Sequence, residues 1–366
     1  MFSTFIVLIV PLVHAAVRFS PPTGPYNVGI TQHIFNHSTQ NDPVAPANAS
    51  NVLLATIYYP TLSIPTPDTT APYLDPTTSK LWGSALEYPD GIIALETWNQ
   101  PQAPFLPKPP PGTSHPPTVI FSPGGGENAI MYNFLSSELA SHGYTVVALD
   151  HPGETPYLQL PGNAAGIYGI DITASWPAAL QKAVYEMRVS DALAVVRDLY
   201  TPYVTSINAP FNTSHFLAIG HSIGGAAAAK CAAVEPSVLG GVNLDGLFFD
   251  LPDVKKPFLM VAGEEHTPAI DPTWAPFSKN QSGWWAWVNV TGAGHQDFSD
   301  IGDWVDLAGL RNRTQTPSLG PIWAPRMDFV VNRMVLGFFG FARGRSGGPD
   351  LEFPEVVRVN GSSNGV

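Results

Sequence analysis

From Thr118 onward, short apolar runs alternate with segments of helix length, and this alternation limits the chain to very few folds. Thr118–Ser122, Tyr144–Asp150, Phe216–Gly220, Gly241–Asp245, Pro257–Ala262 and Trp284–Val290 are strand-length and dense in aliphatic, β-branched or aromatic residues. Helices are expected over about 129–142, 176–199, 224–234 and 326–343, with Gly143 as a natural C-cap of the first. Strands that are apolar on both faces and separated by helices predict an α/β fold, a mostly parallel sheet covered on both sides. In that setting Trp284 and Trp285 read as strand core rather than membrane anchors. Upstream, residues 17–60 read as strands broken by turns, with Val52–Tyr59 stopping at Pro60. Residues 61–117 are loop-dominated and end in a proline-rich run, 101–117, that cannot be helical. The run reads as a surface insertion, so 17–345 form one domain without internal repeats, followed by a flexible polar tail over 346–366.

Composition removes whole classes of function. The 366 residues hold 17 Lys and Arg against 29 Asp and Glu, a net charge of −12, which argues against a nucleic-acid binder, since that needs a basic face. A single cysteine, Cys231, excludes an intrachain disulfide and a cysteine-built zinc site. The apolar run at 5–13 followed by Ala15 and Ala16 reads as a secretory signal over residues 1–16. Seven N-x-S/T sequons, at Asn36, Asn48, Asn212, Asn280, Asn289, Asn312 and Asn360, suit a secreted glycoprotein. No later stretch reaches the 18 or so apolar residues of a membrane span, and the polar C-terminus lacks the hydrophobic end of a GPI signal.

Chemistry is concentrated in Gly220-His221-Ser222-Ile223-Gly224, a G-x-S-x-G motif. The same pattern occurs at 344–348 and 361–365, but there no strand precedes it, no helix follows and no histidine lies downstream. Only Ser222 sits between an apolar strand and an alanine-rich helix, the context of a nucleophile elbow. Such an elbow strains the backbone at the serine, so glycines two residues away relieve crowding, and the helix N-terminus favours negative charge beside it. The alternative is an ordinary glycine-rich turn between strand and helix.

A serine nucleophile needs a base, and beyond the motif only His266 and His295 follow it. His295, in the small-residue loop Gly292-Ala293-Gly294-His295 after the last strand, is the better placed; His221 is expected to be packed. For the acid that orients the imidazole, spacing leaves Asp245 open against Glu264 or Glu265, with Asp271 a poorer choice. One oxyanion donor should be the N–H of Ile223, the other an N–H of the turn Pro123-Gly124-Gly125-Gly126. No G-K-[ST] follows that turn, which argues against a phosphate cradle. Neither H-E-x-x-H nor a dinucleotide fingerprint is found, so no metal and no cofactor are expected.

These segments, in order, resemble the platelet-activating-factor acetylhydrolases of the plasma and intracellular type II kind, especially their fungal relatives. The likeness runs through Pro22-Thr23-Gly24-Pro25-Tyr26 with Val28-Gly29, Ile57-Tyr58-Tyr59-Pro60, Phe121-Ser122-Pro123-Gly124-Gly125-Gly126, Leu139–Tyr144, the Ser222 elbow, Leu244-Asp245 and His295-Gln296-Asp297-Phe298. Pro123 stands where that family usually has histidine, Gly125 where it has a larger apolar residue, and 61–117 and 153–181 do not match closely. The resemblance implies the α/β-hydrolase fold, Asp245 as the acid, and Gly125 with Ile223 as oxyanion donors. With the N-terminal signal and the Ser222 motif, the reading is a secreted serine esterase, and the resemblance implies phospholipids with a short or oxidised sn-2 acyl chain as substrate; peripheral contact with a lipid surface is a further expectation. A general carboxylesterase on small esters or polyesters, and a non-catalytic binding protein on the same scaffold, are the rival expectations.

Overall fold

The computed structural model describes residues 17–87, 95–162, 164–172, 174–311 and 318–362; the expected signal segment lies outside them, as does the sequon at Asn312. Among the described residues, nine strands build the main sheet: β1 (Asn27–Asn36), β2 (Val52–Thr61), β3 (Thr118–Ser122), β4 (Thr145–Asp150), β5 (Phe216–His221), β6 (Val238–Leu244), β7 (Phe258–Gly263), β8 (Trp285–Val290) and β9 (Val356–Gly361). Their spatial order is β9-β8-β7-β6-β5-β3-β4-β2-β1, with the two residues Gln100–Pro101 added at the β1 edge. The six strands from β4 to β8 in this order are parallel, and β2, β1 and β9 run antiparallel to their neighbours β4, β2 and β8.

The helices are α1 (Pro76–Ala85), α2 (Asn133–Ser141), α3 (Ala178–Ala194), α4 (Tyr200–Ser206), α5 (Ile223–Val234), α6 (Trp274–Lys279), α7 (Ile301–Leu307) and α8 (Ala324–Ala342). Side-chain alternation sorts the core into two layers. Val119, Phe121, Leu217 and Ile219 pack with α2, α7 and α8, whereas Ile120, Phe216 and Ala218 pack with α3, α5 and α6. Trp285 and Trp287 are buried in the second layer, as strand core. Cys231 is buried in the same layer, and burial pushes its thiol up to about 12.

The helix α1 departs from the loop expected over 61–117. Asp75 caps it by accepting from the N–H groups of Thr77 at 2.9 Å and Thr78 at 3.0 Å, and Pro76 opens the first turn. A larger correction concerns the C-terminus. The expected flexible polar tail includes β9, which pairs with β8 along Val356↔Val290 to Gly361↔Ala286. Val356, Val357 and Val359 give it a β-branched signal, but the strand is short and set in a polar, glycine- and serine-rich tail; most of its side chains are exposed, and what holds it is the backbone edge of β8. The proline-rich run carries no helix or strand over 103–117 and joins two strands of one sheet.

Among the described sequons, Asn36, Asn48, Asn280 and Asn360 are exposed. Asn212 is buried, its amide donating to the His115 carbonyl at 3.0 Å and its oxygen accepting from the N–H groups of Ser214 and His215. A glycan on that nitrogen would break the turn.

The chain leaves β4 on one side of β3 and returns as β5 on the other. The crevice beyond the carboxyl ends of β3 and β5 is therefore a topological switch point, the usual ligand position in an open parallel sheet. The glycine turn after β3 and the Ser222 motif after β5 both end there.

Candidate active site

Ser222 stands between β5 and α5 with φ 55° and ψ −127°, a conformation that costs a non-glycine residue on the order of 1–3 kcal/mol. The flanking glycines are obligatory for a steric reason. A Cβ on Gly220 would lie 2.3 Å from the Gly224 carbonyl, and one on Gly224 would lie 2.1 Å from the Ser122 carbonyl oxygen. A third contact sets the helix against the sheet: a Cβ on Gly225 would meet Asn243 Oδ1 at 2.0 Å. Asn243 in turn fixes the turn after β6, accepting from Gly246 N–H at 2.8 Å and donating to its carbonyl at 2.7 Å.

That turn presents Asp245, itself at φ 55°, a region aspartate tolerates better than most residues. Asp245 Oδ2 is 2.6 Å from His295 Nδ1. Its other oxygen, Oδ1, accepts from Gly263 N–H at 2.8 Å and lies 2.9 Å from His266 Nδ1. Burial works against the charge of Asp245, but its bonds to His266 and His295 hold the carboxyl well below the usual range. For His295, desolvation lowers the basicity, and the bond and charge of Asp245 more than reverse this, leaving it raised. Its side chain is 34% exposed, enough for a substrate to reach the ring.

Ser222, Asp245, His266 and His295 line one cavity of about 620 Å³, with Leu247 and Ile270 on its wall. The structure thus brings Ser222, Asp245 and His295 together. Glu264 and Glu265 line the same cavity but are exposed, and the carboxylate bonded to His295 is that of Asp245; Glu264 accepts from Gly292 N–H at 2.7 Å. His266, the other histidine weighed as a base, sits on the far oxygen of Asp245, and Asp271 lies beyond it, 3.1 Å from His266 Nε2.

The turn after β3 borders a second cavity of about 380 Å³ that contains Gly125, Gly126, Trp82, Leu86, Ile172, Trp176 and Ile301; Ser318 is common to both cavities. Gly125 is exposed, and among the described residues its N–H donates to no other group. Ile223 N–H heads α5, where the first turn of a helix has no internal acceptor.

Two buried networks that sequence reasoning missed hold this turn. Arg188 of α3 bonds Glu154, donates to the Pro123 carbonyl, and reaches the Gly124 carbonyl at 2.9 Å and Ser122 Oγ at 3.1 Å. Its place on the core-facing side of α3, with Val184, Met187 and Asp191, was the available signal. In a chain so poor in cations, a basic residue on an apolar stripe is a positioning device. We expect Arg188→Met to lower stability by about 3–5 kcal/mol, because Glu154 is left as an unpaired buried charge; a urea midpoint unchanged from wild type would show the pair to be idle.

The second network is Tyr132. Its hydroxyl accepts from Gly124 N–H at 2.8 Å, donates to Glu127, and lies 2.7 Å from His221 Nδ1. His221 is buried, as expected, and burial lowers its basicity, with the nearby His295 adding to the effect. Its ring nonetheless packs 4.4 Å from that of His295, a neighbour with no signal in sequence spacing.

Comparison with known proteins fits this geometry. Residues 119–357 match the alpha/beta hydrolase family. The chain belongs to that family. As an α/β hydrolase it is 27% identical over 263 residues to a protein of Arthroderma benhamiae named as a probable 1-alkyl-2-acetylglycerophosphocholine esterase, a match covering 66% of this chain and 65% of that relative. Among solved structures, a ferulic acid esterase from Streptomyces cinnamoneus superposes with a TM-score of 0.79 at 28% identity, over 94% of this chain and 100% of that one. The resemblance read from the motifs therefore extends well beyond them.

Proposed function

We propose that this α/β hydrolase is a secreted serine esterase that cleaves the short or oxidised sn-2 acyl ester of phospholipids. The observation that carries the esterase reading is the 2.6 Å bond from His295 to Asp245 in a cavity shared with the Ser222 elbow. In this reading Ser222 Oγ attacks the ester carbonyl while His295 Nε2 takes its proton. Asp245 holds the Nδ1–H tautomer and stabilises the imidazolium. The N–H groups of Gly125 and Ile223 receive the oxyanion, a pair in which each donor is commonly worth about 2.7–4 kcal/mol. His295 then protonates the leaving alcohol, and water resolves the acyl-enzyme by the same steps in reverse.

The phospholipid substrate rests on the resemblance and on the activity in the name of the fungal relative. The rim supports it, because Leu247 and Ile270, 42% and 67% exposed, offer apolar surface at the mouth. Peripheral contact with a lipid surface belongs to the same proposal; no helix among the described residues is long and apolar enough to cross a membrane. Secretion is supported by the apolar N-terminal run and by the four exposed sequons.

A second reading, a general carboxylesterase on small esters, is favoured by the indole of Trp176 against Gly125, with Trp82 lining the same cavity, and by the likeness to a ferulic acid esterase. An sn-2 acetyl ether phospholipid and methyl ferulate, given to purified protein with Ser222→Ala as the blank, separate the two. Acetate release at a rate that falls as the acyl chain lengthens is the expected result. Ferulate release without acetate release would replace the phospholipid reading by the second one.

A further inference from the structure

The cavity beside Ser222 holds a histidine for which the ester-cleaving steps have no use. His266 follows β7, and its side chain is only 7% exposed. Its Nδ1 lies 2.9 Å from Asp245 Oδ1 and its Nε2 lies 3.1 Å from Asp271 Oδ2. Asp271 is itself anchored, accepting from Thr273 N–H at 2.7 Å and Thr273 Oγ1 at 2.5 Å. An ionised carboxylate only accepts hydrogen bonds, so an imidazole bonded to one at each nitrogen must carry two protons. The neutral ring would aim a lone pair at one of the two carboxylates.

Among the described residues, no other charge faces this ring closely. Trp274 packs 4.1 Å from it and Trp287 stands edge-on at 6.5 Å. The titratable groups around it are Asp245 and Asp271, with His295 across Asp245, while the chain neighbours Glu264 and Glu265 are exposed. Asn289 Nδ2 donates to the His266 carbonyl at 3.3 Å and so fixes the backbone that carries the ring. The order Asp271–His266–Asp245–His295 is therefore a chain of alternating charge whenever His295 is protonated.

We propose that His266 is a positioning residue which, as an imidazolium, clamps Asp245 toward His295 and tempers the pull of that carboxylate on His295, setting the pH at which His295 becomes a free base. The proposal rests on reading Ser222, His295 and Asp245 as the reacting set. Two pH effects follow. The positive ring opposes protonation of His295 and so keeps the acid limb of the activity lower than Asp245 alone would. Against the lowering effect of burial, its two carboxylates raise His266 to about 9; on deprotonation there the ring loses one of its bonds and Asp245 loses its clamp.

The test is kcat/KM for p-nitrophenyl acetate against pH, in the wild type and in His266→Gln. Removing the like charge should raise the acid limb by about one pH unit, with little change in KM, and should abolish the alkaline fall near pH 9. A folded His266→Gln variant with both limbs where the wild type has them overturns the proposal. If that variant does not fold, Asp271→Asn serves instead: with one carboxylate lost, the alkaline fall should move to lower pH, and an unmoved fall overturns the proposal. A readout independent of catalysis is the ¹⁵N spectrum of the histidines in the full chain at pH 7. Both nitrogens of His266 should show protonated shifts, and a neutral tautomer overturns the proposal. Should the wild type cleave no ester at all, the esterase reading fails, while the spectrum still decides the charge of His266.

Discussion

Replacing Ser222 by alanine is expected to lower kcat by about 10⁶-fold while leaving the fold intact, since removing the nucleophile of such a set costs about as much as removing the whole set. The elbow makes the variant a clean one. Alanine at φ 55° is strained much as serine is, and the Ser222 N–H bond to the Leu244 carbonyl at 2.8 Å involves only backbone. A fluorophosphonate probe should label the wild type at Ser222 and not the variant. Labelling of neither protein would favour the rival view of a binding protein on a hydrolase scaffold, because fold does not fix function.

Asp245→Asn is expected to lower kcat by about 10⁴-fold, the loss seen when an amide replaces the acid and the imidazole is held in the wrong tautomer. Here the amide faces a further conflict. Asp245 accepts at both oxygens, from Gly263 N–H and from the histidines on either side, and an amide has only one accepting atom. Turned toward His295, its NH₂ group faces Nδ1 and forces the wrong tautomer; turned the other way, it meets the donating Gly263 N–H. We therefore expect the loss in kcat to be accompanied by a lower melting temperature, and calorimetry beside the kinetics separates the two. Activity within tenfold of wild type would remove Asp245 from the reaction and reopen the question of which carboxylate orients His295.

The difference between these two residues shows what the sequence makes legible. Ser222 could be singled out because its setting is local: strand, glycine turn and alanine-rich helix are contiguous, and no alanine-rich run follows either of the other two G-x-S-x-G matches, although β9, against expectation, does lead into the one at 361–365. His295 could be placed because few histidines follow the elbow. The acid could not be chosen by spacing, since Asp245, Glu264 and Glu265 all follow strands, and the choice depends on which strand end faces the His295 loop. That is a property of sheet order and turn geometry, with Asn243 holding the Asp245 turn.

The supports of the site were less legible still. Arg188 reaches Glu154 across 34 positions of chain and Ser122 across 66, and Tyr132 reaches His221 across 89. No local pattern joins such pairs. The parallel sheet was readable because its strands are apolar on both faces. The edge strand β9 was not, because its valines, Val356, Val357 and Val359, stand in a polar, glycine-rich stretch and the edge that recruits them belongs to β8.

That edge strand has a consequence for solubility. A sheet whose outermost strand is β8 would offer solvent a row of unpaired N–H and C=O groups on a segment bearing Trp285 and Trp287, which is the kind of template on which another chain adds itself and aggregates. With β9 in place, β8 is paired on both sides, and the new edge is a short strand of mostly exposed residues that carries Arg358 and the sequon asparagine Asn360. This outermost strand, most of whose side chains face solvent, thus covers the edge of the sheet where Trp285 and Trp287 lie.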